Sequence, residues 1–177
     1  KPDNTEFTNL FLLGSFSFIL ILNSLSALFN CACTHFNNIS IKVYQALSGD
    51  SQAFLDQTIE EINLLDNSSL NRAYKGTLTA KSASFLKKAG EKINTFKKGV
   101  SELESEIGAK PNEVEYRFLR LAIQEKSPKF LGYSKNLEED KKMILENFDS
   151  LHPFLKKQLK LYASKSSIIS TNDLIED

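Results

Sequence analysis

Residues 99–124 read GVSELESEIGAKPNEVEYRFLRLAIQ, and this stretch predicts two helices joined by a tight turn. In its first half, Leu103 and Ile107 continue an apolar pattern in steps of three and four, which is the period of one helix face. Asn112 then stands three residues before Glu115, a spacing typical of the capping box that begins a helix. The helix after Asn112 is apolar on most of its circumference, so we expect it to lie at the centre of the fold.

The same helical period continues on both sides of this stretch, and no segment alternates in the way that a strand would. The chain has 177 residues with only 7 Gly and 4 Pro, which favours long regular elements. The predicted helices cover residues 37–50, 52–65, 70–89, 91–107, 113–126, 137–148 and 153–163, with breaks at Gly49, Gly90 and Gly108. An amphipathic hairpin cannot bury its apolar face alone. We therefore predict an all-α domain of about seven helices, stacked as antiparallel helix hairpins over residues 37–164, and a flexible tail over residues 165–177.

Part of this sequence resembles a tetratricopeptide repeat. In that family the second helix of a repeat has a small residue early, a large apolar residue one turn later and Pro-Asn after its end. Gly99, Leu103 and Pro111 stand at these places, and Tyr74 and Gly76 are similar to the Tyr and Gly of the first repeat helix. The resemblance covers about a third of the chain. It implies stacked, tetratricopeptide-like helix hairpins that line a concave groove.

The N-terminal segment predicts export. No charged residue occurs between Phe7 and Thr34, and residues 10–22 form a compact apolar run that is followed by small residues. A signal peptide combines an apolar region of roughly 7–15 residues with small residues at its cleavage site. We predict that residues 1–36 are a signal peptide, or else a membrane anchor through residues 10–29; a buried core helix is the third interpretation. The protein is then expected to be periplasmic or extracellular, or held at a membrane.

A second resemblance points to the same location. Residues 112–133 resemble uncharacterised exported proteins of flavobacterial type. That family has no assigned activity, so the resemblance implies an exported helical protein and no particular chemistry.

The sequence contains none of the usual catalytic motifs: it has no Gly-rich phosphate loop, no Gly-x-Ser-x-Gly and no His-Glu-x-x-His. Cys31, Cys33 and His35 form a Cys-x-Cys-x-His cluster, which has ligands for a soft metal. The only other histidine is His152, and no second ligand cluster exists. We therefore expect a non-enzymatic protein without metal or cofactor. An enzyme whose site is assembled from dispersed carboxylates is an alternative.

The fifth predicted helix carries the most conspicuous polar group. Arg117, Arg120 and Gln124 fall at steps of three and four, so they share one face of a largely apolar helix. A buried charge without a partner is very costly, so both guanidinium groups need acceptors. One interpretation is internal pairing with Glu113, Asp140 or backbone carbonyls.

The other interpretation places these side chains in a concave groove, where they bind a carboxylate of a protein or peptide partner. Tyr133 and Asn136 follow one connector later and are expected at the border of the same groove. The predicted partner-binding residues are Arg117, Arg120, Gln124, Tyr133 and Asn136.

A basic segment between residues 71 and 98 supports a second hypothesis. Eight bases occur there with one acid, Glu91, although the whole chain has 22 basic and 22 acidic residues. That overall balance gives no argument for nucleic acid, whereas anionic lipid attracts a basic surface. The alternative function is a peripheral membrane domain that binds anionic lipid through the helices of residues 70–107; the simpler interpretation is a solvated face. The lysines of this hypothesis are Lys75, Lys87, Lys88, Lys92, Lys97 and Lys98.

Overall fold

The computed structural model describes residues 38–174, and within this range the chain forms seven α-helices and no strand. The helices are α1 (38–48), α2 (Gln52–Asn63), α3 (Ser69–Ser82), α4 (Ala89–Ala109), α5 (Val114–Lys126), α6 (Leu137–Asn147) and α7 (Pro153–Ala163). The predicted all-α fold is confirmed. Backbone contacts divide the chain between Ile41 and Lys42, and the packing described below is that of the unit that begins at Lys42.

The predicted signal peptide or membrane anchor, residues 1–36, lies outside the described residues, as do Cys31, Cys33 and His35. Between residues 38 and 174, no helix combines the length and the apolar character that a membrane crossing requires.

Helices α3 and α4 form an antiparallel hairpin with closely packed backbones. Ser69, at the start of α3, donates a hydrogen bond to Glu106 near the end of α4, whereas Gly76 lies against Gly99. A Cβ atom on Gly99 would stand 2.2 Å from the backbone nitrogen of Ala80. Only glycine permits such an approach, so the small residues that the sequence places here fix the distance between the two helices.

Helix α5 is central, as its apolar pattern predicts. Ten of its 13 residues are buried, and it packs against α3, α4 and α6. Phe118, Leu119 and Leu121 are almost inaccessible to solvent. Burial of one such side chain contributes roughly 1.5–3 kcal/mol relative to exposure, so this helix is a main source of the stability of the domain.

The sequence predicts helix starts at Ser51, Asn112, Asn136 and Pro153, and a helix begins at or directly after three of these, with Asn112 the exception. Ser51 caps α2, because its Oγ accepts a hydrogen bond from the backbone nitrogen of Phe54 at 3.3 Å, and Pro153 opens α7. Helix α5 starts one residue later than predicted, after Glu113, and no side chain caps it. Asn112 belongs instead to the tight turn in which the Glu113 backbone nitrogen donates to Lys110.

Two predicted helix ends are wrong. The helix predicted over residues 70–89 ends at Ser82 and gives way to a short 3₁₀ turn, Ala83–Phe85. The next helix already begins at Ala89, so Gly90 lies in its first turn and does not break it. Gly108 also lies inside α4. Tertiary packing of α4 against α3 outweighs the weak preference of glycine against helix, which is about 1 kcal/mol.

Residues 165–174 fold against the helices, where the sequence predicts a flexible tail. Ile169 and Leu174 are buried. The backbone nitrogen of Ser167 donates a hydrogen bond to Glu125 at 2.7 Å. The serine-rich composition predicts a solvated segment, whereas two buried apolar side chains and hydrogen bonds to the Glu125 carboxylate join it to the helices.

Candidate functional site

An apolar groove of about 790 Å³ lies where the odd-numbered helices end. The last turns of α1, α3, α5 and α7 line it, together with the first turns of α4 and the connector after α5. Apolar lining side chains include Leu47, Ala80, Phe96, Ala122, Ile123 and Leu131. Ligand sites in proteins typically measure about 300–1,000 Å³ and are lined mainly by apolar side chains. The groove therefore has the size and character of a binding site.

Three aromatic rings in contact form part of the groove wall. The ring of Phe118 lies 5.6 Å from that of Tyr44 and 5.2 Å from that of Tyr162. Aromatic pairs at such separations contribute roughly 0.5–1.5 kcal/mol beyond their buried area. The Tyr44 hydroxyl donates to Glu115 at 2.9 Å, and the Tyr162 hydroxyl donates to Glu125. The rings are therefore anchored by two carboxylates and do not depend on a ligand for their position.

Both tyrosines stay protonated donors. Burial, reinforced by the neighbouring carboxylates, raises the pKa of Tyr44 and of Tyr162 well above the ordinary value. Burial also raises the pKa of Glu115, although hydrogen bonds from Tyr74 and Tyr44 oppose that shift. Burial acts in the same direction on Glu125, but hydrogen bonds, chiefly from Tyr162 and Ser167, hold its pKa below the ordinary value.

Two large apolar side chains at the mouth of the groove are exposed. Phe130, in the connector after α5, is 77% exposed, and Leu161 on α7 is 56% exposed. Leu64 at the end of α2 is 86% exposed but does not line the groove. Exposed apolar surface that continues into a groove is typical of an interaction site, whereas a single exposed leucine is ordinary.

The groove also carries more positive than negative side chains. Its lysines are Lys81, Lys92, Lys126 and Lys165. None of the four side chains has a hydrogen-bonded or ion-paired acceptor among residues 38–174. The acidic lining residues are Asp50 and Glu125. Burial lowers the pKa of Lys81, and attraction to Asp50 only partly opposes this.

The predicted arginine site is a closed ion-pair cluster. Arg120 donates to both carboxylate oxygens of Asp140, from Nε at 2.7 Å and from Nη2 at 2.5 Å. Arg117 donates from Nη1 to Asp140 at 3.2 Å and from Nε to the Pro111 carbonyl at 2.9 Å. The prediction of internal pairing with Asp140 and a backbone carbonyl is confirmed, while Glu113 is not one of the acceptors found within the described residues.

The charges in this cluster support one another. Burial opposes the charge on Arg120, but hydrogen bonds and attraction to Asp140 and Glu104 outweigh it and raise the pKa of Arg120. Burial raises the pKa of Asp140, and the two guanidinium groups act against that shift. Asp140 is fully buried, so its carboxylate depends on these two cations for compensation.

The remaining predicted residues lie around this cluster. Tyr133 donates to Glu104 at 2.6 Å, and Glu104 accepts from Arg120 at 3.0 Å. Burial, with help from Glu104, raises the pKa of Tyr133. Asn136 donates to Glu139 at 2.9 Å, and Glu139 also accepts from Arg117. These contacts join four of the five predicted partner-binding residues in one network.

Gln124, the fifth, is buried on the same helix face, and its Oε1 has no hydrogen-bond partner among the described residues. Contact of a partner with this set stays a prediction. Both guanidinium groups are already paired with carboxylates of this chain, so a partner carboxylate would have to compete with them.

The lysines of the lipid hypothesis differ in their exposure and surroundings. Lys87, Lys88, Lys97 and Lys98 are exposed. Lys92 lines the apolar groove, whereas Lys75 is half-buried and lines a separate pocket of 190 Å³. Binding of anionic lipid through these side chains stays a prediction.

In the part of the chain that the structure describes, no group of three or more His, Cys, Asp or Glu side chains is arranged to hold a metal ion. Comparisons of the chain with protein-family profiles, with curated proteins and with solved structures find no match.

The sequence pattern does not reveal the groove, because an apolar residue on a helix has the same pattern in a groove wall as in a core. Two signals point to it in retrospect. Phe130 stands in a short connector and not on the apolar face of a helix, and Leu161 follows Leu159 so closely that the two cannot share one face of a helix. The structure buries Leu159 and leaves Leu161 at the groove.

Proposed function

We propose that this chain is a non-enzymatic helical binding domain and that a protein or peptide partner binds in the apolar groove. The observation that carries the proposal is a groove of about 790 Å³ with Phe130 and Leu161 exposed at its mouth. Helix-in-groove recognition uses a surface of this kind, because apolar side chains of the partner replace water on the groove wall.

The proposal gives the helix hairpins a role. Helices α1, α3, α5 and α7 each contribute their last turn to the groove, while α2 and α6 contribute no lining residue. Stacked hairpin proteins use one helix of each pair to form an extended concave surface. We propose a tetratricopeptide-like arrangement on this basis, together with the resemblance around Gly99 and Leu103. We propose an exported or membrane-anchored setting from the apolar segment within residues 1–36 and from the resemblance of residues 112–133.

The test is a selection of helical peptides from a displayed random library on the full chain, followed by affinity measurements on variants. Phe130→Glu and Leu161→Glu each place a charge at the mouth of the groove, where it must be desolvated when an apolar side chain binds. We expect each to weaken the selected peptides by at least about tenfold, since a lost apolar contact of 1.4 kcal/mol already has that effect.

Leu64→Glu is the matched control, because Leu64 is an exposed leucine outside the groove. It should leave the affinity unchanged. Selected peptides that bind both groove variants as well as the wild-type chain would refute the proposal, and so would a selection that yields no groove-dependent binder.

A further inference from the structure

The charge of the groove indicates the chemistry of its occupant. Four lysines line it, and the two acidic lining residues do not neutralise them. Glu125 is occupied by hydrogen bonds from Tyr162, Ser166 and Ser167. Glu125 keeps its negative charge, so the four lysines against Asp50 and Glu125 leave the lining with an excess of two positive charges. Complementary charge across an interface selects the partner and speeds its encounter, so the occupant should be acidic.

Lys81 gives the clearest single indication. Its side chain is half-buried beside the apolar wall, and no acceptor among residues 38–174 receives a hydrogen bond from its ammonium group. Burial lowers the pKa of Lys81, and the positive charge of Lys126 acts in the same direction. An anion brought to this position would relieve both costs, because it supplies the missing acceptor and the missing charge.

We propose that the groove binds an amphipathic helical segment of a protein partner whose carboxylates face Lys81, Lys92, Lys126 and Lys165 while its apolar stripe covers the wall around Phe118, Ala122 and Ile123. The inference rests on the proposed function and adds the charge and the shape of the ligand. The groove combines an apolar wall, exposed apolar side chains at its mouth and positive charge at its edge. An acidic amphipathic helix presents the complement of all three.

The lysines also have an ordinary structural role to be separated from this one. Lys81 and Lys126 stand in the last turns of α3 and α5, where a positive charge offsets the negative end of the helix dipole. That role alone predicts a small loss of stability when they are replaced and no effect on the choice between peptides of different charge.

The experiment uses synthetic helical peptides of about 20 residues, since isolated helices shorter than about 12–15 residues are marginal in water. One peptide has a leucine and phenylalanine stripe flanked by glutamates, a second has the same stripe flanked by lysines, and each has a scrambled control. Affinity for the full chain is measured by fluorescence anisotropy at low and at high salt. We expect the acidic striped peptide to bind about tenfold more tightly than the basic one, because each exposed ion pair contributes a few-fold, and the preference to shrink with salt.

The double variant Lys81→Gln/Lys126→Gln should reduce the preference for the acidic peptide to about threefold, since half of the four groove lysines are gone. Lys97→Gln/Lys98→Gln removes two exposed lysines outside the groove and should preserve it. Circular dichroism tests whether both variants are folded. If the double variant is unfolded, the measurement is repeated with Lys126→Gln alone, because Lys126 is exposed.

Equal affinity for the acidic and basic striped peptides would overturn this inference and leave the groove as the binding site. Binding of no striped peptide at all would remove the proposed function with it. Lysine-dependent binding of sodium oleate or of anionic vesicles, without binding of either striped peptide, would assign the groove to a lipid and would overturn the inference as well.

Discussion

Two neighbouring faces of α5 carry opposite kinds of surface. Arg117, Arg120 and Gln124 form the polar face, and the two arginines are closed off by acceptors of the same chain. Phe118 and Ala122 belong to the apolar face, which opens into a groove. The charged residues that look most like a binding site are therefore satisfied internally, while an apolar face whose side chains are buried borders an open groove. A charged residue in a sequence indicates a need for acceptor or donor groups, and the chain itself can supply these groups.

The largest expected effect lies in the closed cluster. Asp140→Asn removes the charge that two buried guanidinium groups share, and breaking a buried ion pair in this way costs about 3–5 kcal/mol. Urea denaturation of the variant should show a free energy of unfolding lower by that amount. The matched control is Glu139→Gln, because Glu139 is another acceptor of Arg117 but is 55% exposed; its cost should stay within about 1 kcal/mol. A loss below 1 kcal/mol for Asp140→Asn would mean that the cluster is not closed.

Part of this cluster could be predicted from the sequence. Arg117 and Arg120 are three residues apart on a helix, which fixes their common face, and a buried guanidinium requires an acceptor. Asp140, near the start of the next helix, was one of few candidates. The ion pair between Glu104 and Arg120 could not be predicted, because it depends on the position and angle at which α4 crosses α5. The helical period of a sequence gives no information on either.

The all-α fold class could be predicted from the sequence, whereas the helix boundaries could be predicted less well. The apolar period located the helices, and Ser51 marked the start of α2, because those signals act within a few residues. The end of α3 at Ser82 and the packing of Ile169 depend on contacts between distant segments. The groove falls in the same class, since an apolar side chain has the same pattern whether a neighbour covers it or not.

Glu115 is bonded to Tyr44, a residue of the groove wall, and its carboxyl group provides a pH test of the comparison. Its carboxylate accepts hydrogen bonds from Tyr44 and Tyr74, and burial raises its pKa in the folded chain. Because the folded state then holds this proton more tightly than the unfolded state, the contribution of Glu115 to stability falls as the pH rises from its ordinary pKa of about 4.5 through the raised value.

Glu115→Gln should therefore lose this particular pH dependence. The stability of the variant relative to the wild-type chain is expected to increase with pH over that interval and then to become constant. Denaturation at a series of pH values measures the difference, in which the unchanged contributions of Glu106 and Glu125 cancel. A difference that is flat, or that decreases with pH, would show that Glu115 is not held in a desolvating environment and that the groove wall is looser than its geometry indicates.

The smallest expected effect is the sharpest test of whether the groove is open. Leu161→Glu, proposed above to weaken peptide binding, should change the free energy of unfolding by no more than about 0.5 kcal/mol, as is usual for exposed positions. Phe118→Ala is the contrasting change, since Phe118 is buried in the wall and truncation of a buried phenylalanine costs about 3–5 kcal/mol. If Leu161→Glu costs more than 1 kcal/mol in urea denaturation, Leu161 contributes to the folded core. The mouth of the groove would then be part of the domain's own packing, and the distinction between the two faces of α5 would disappear.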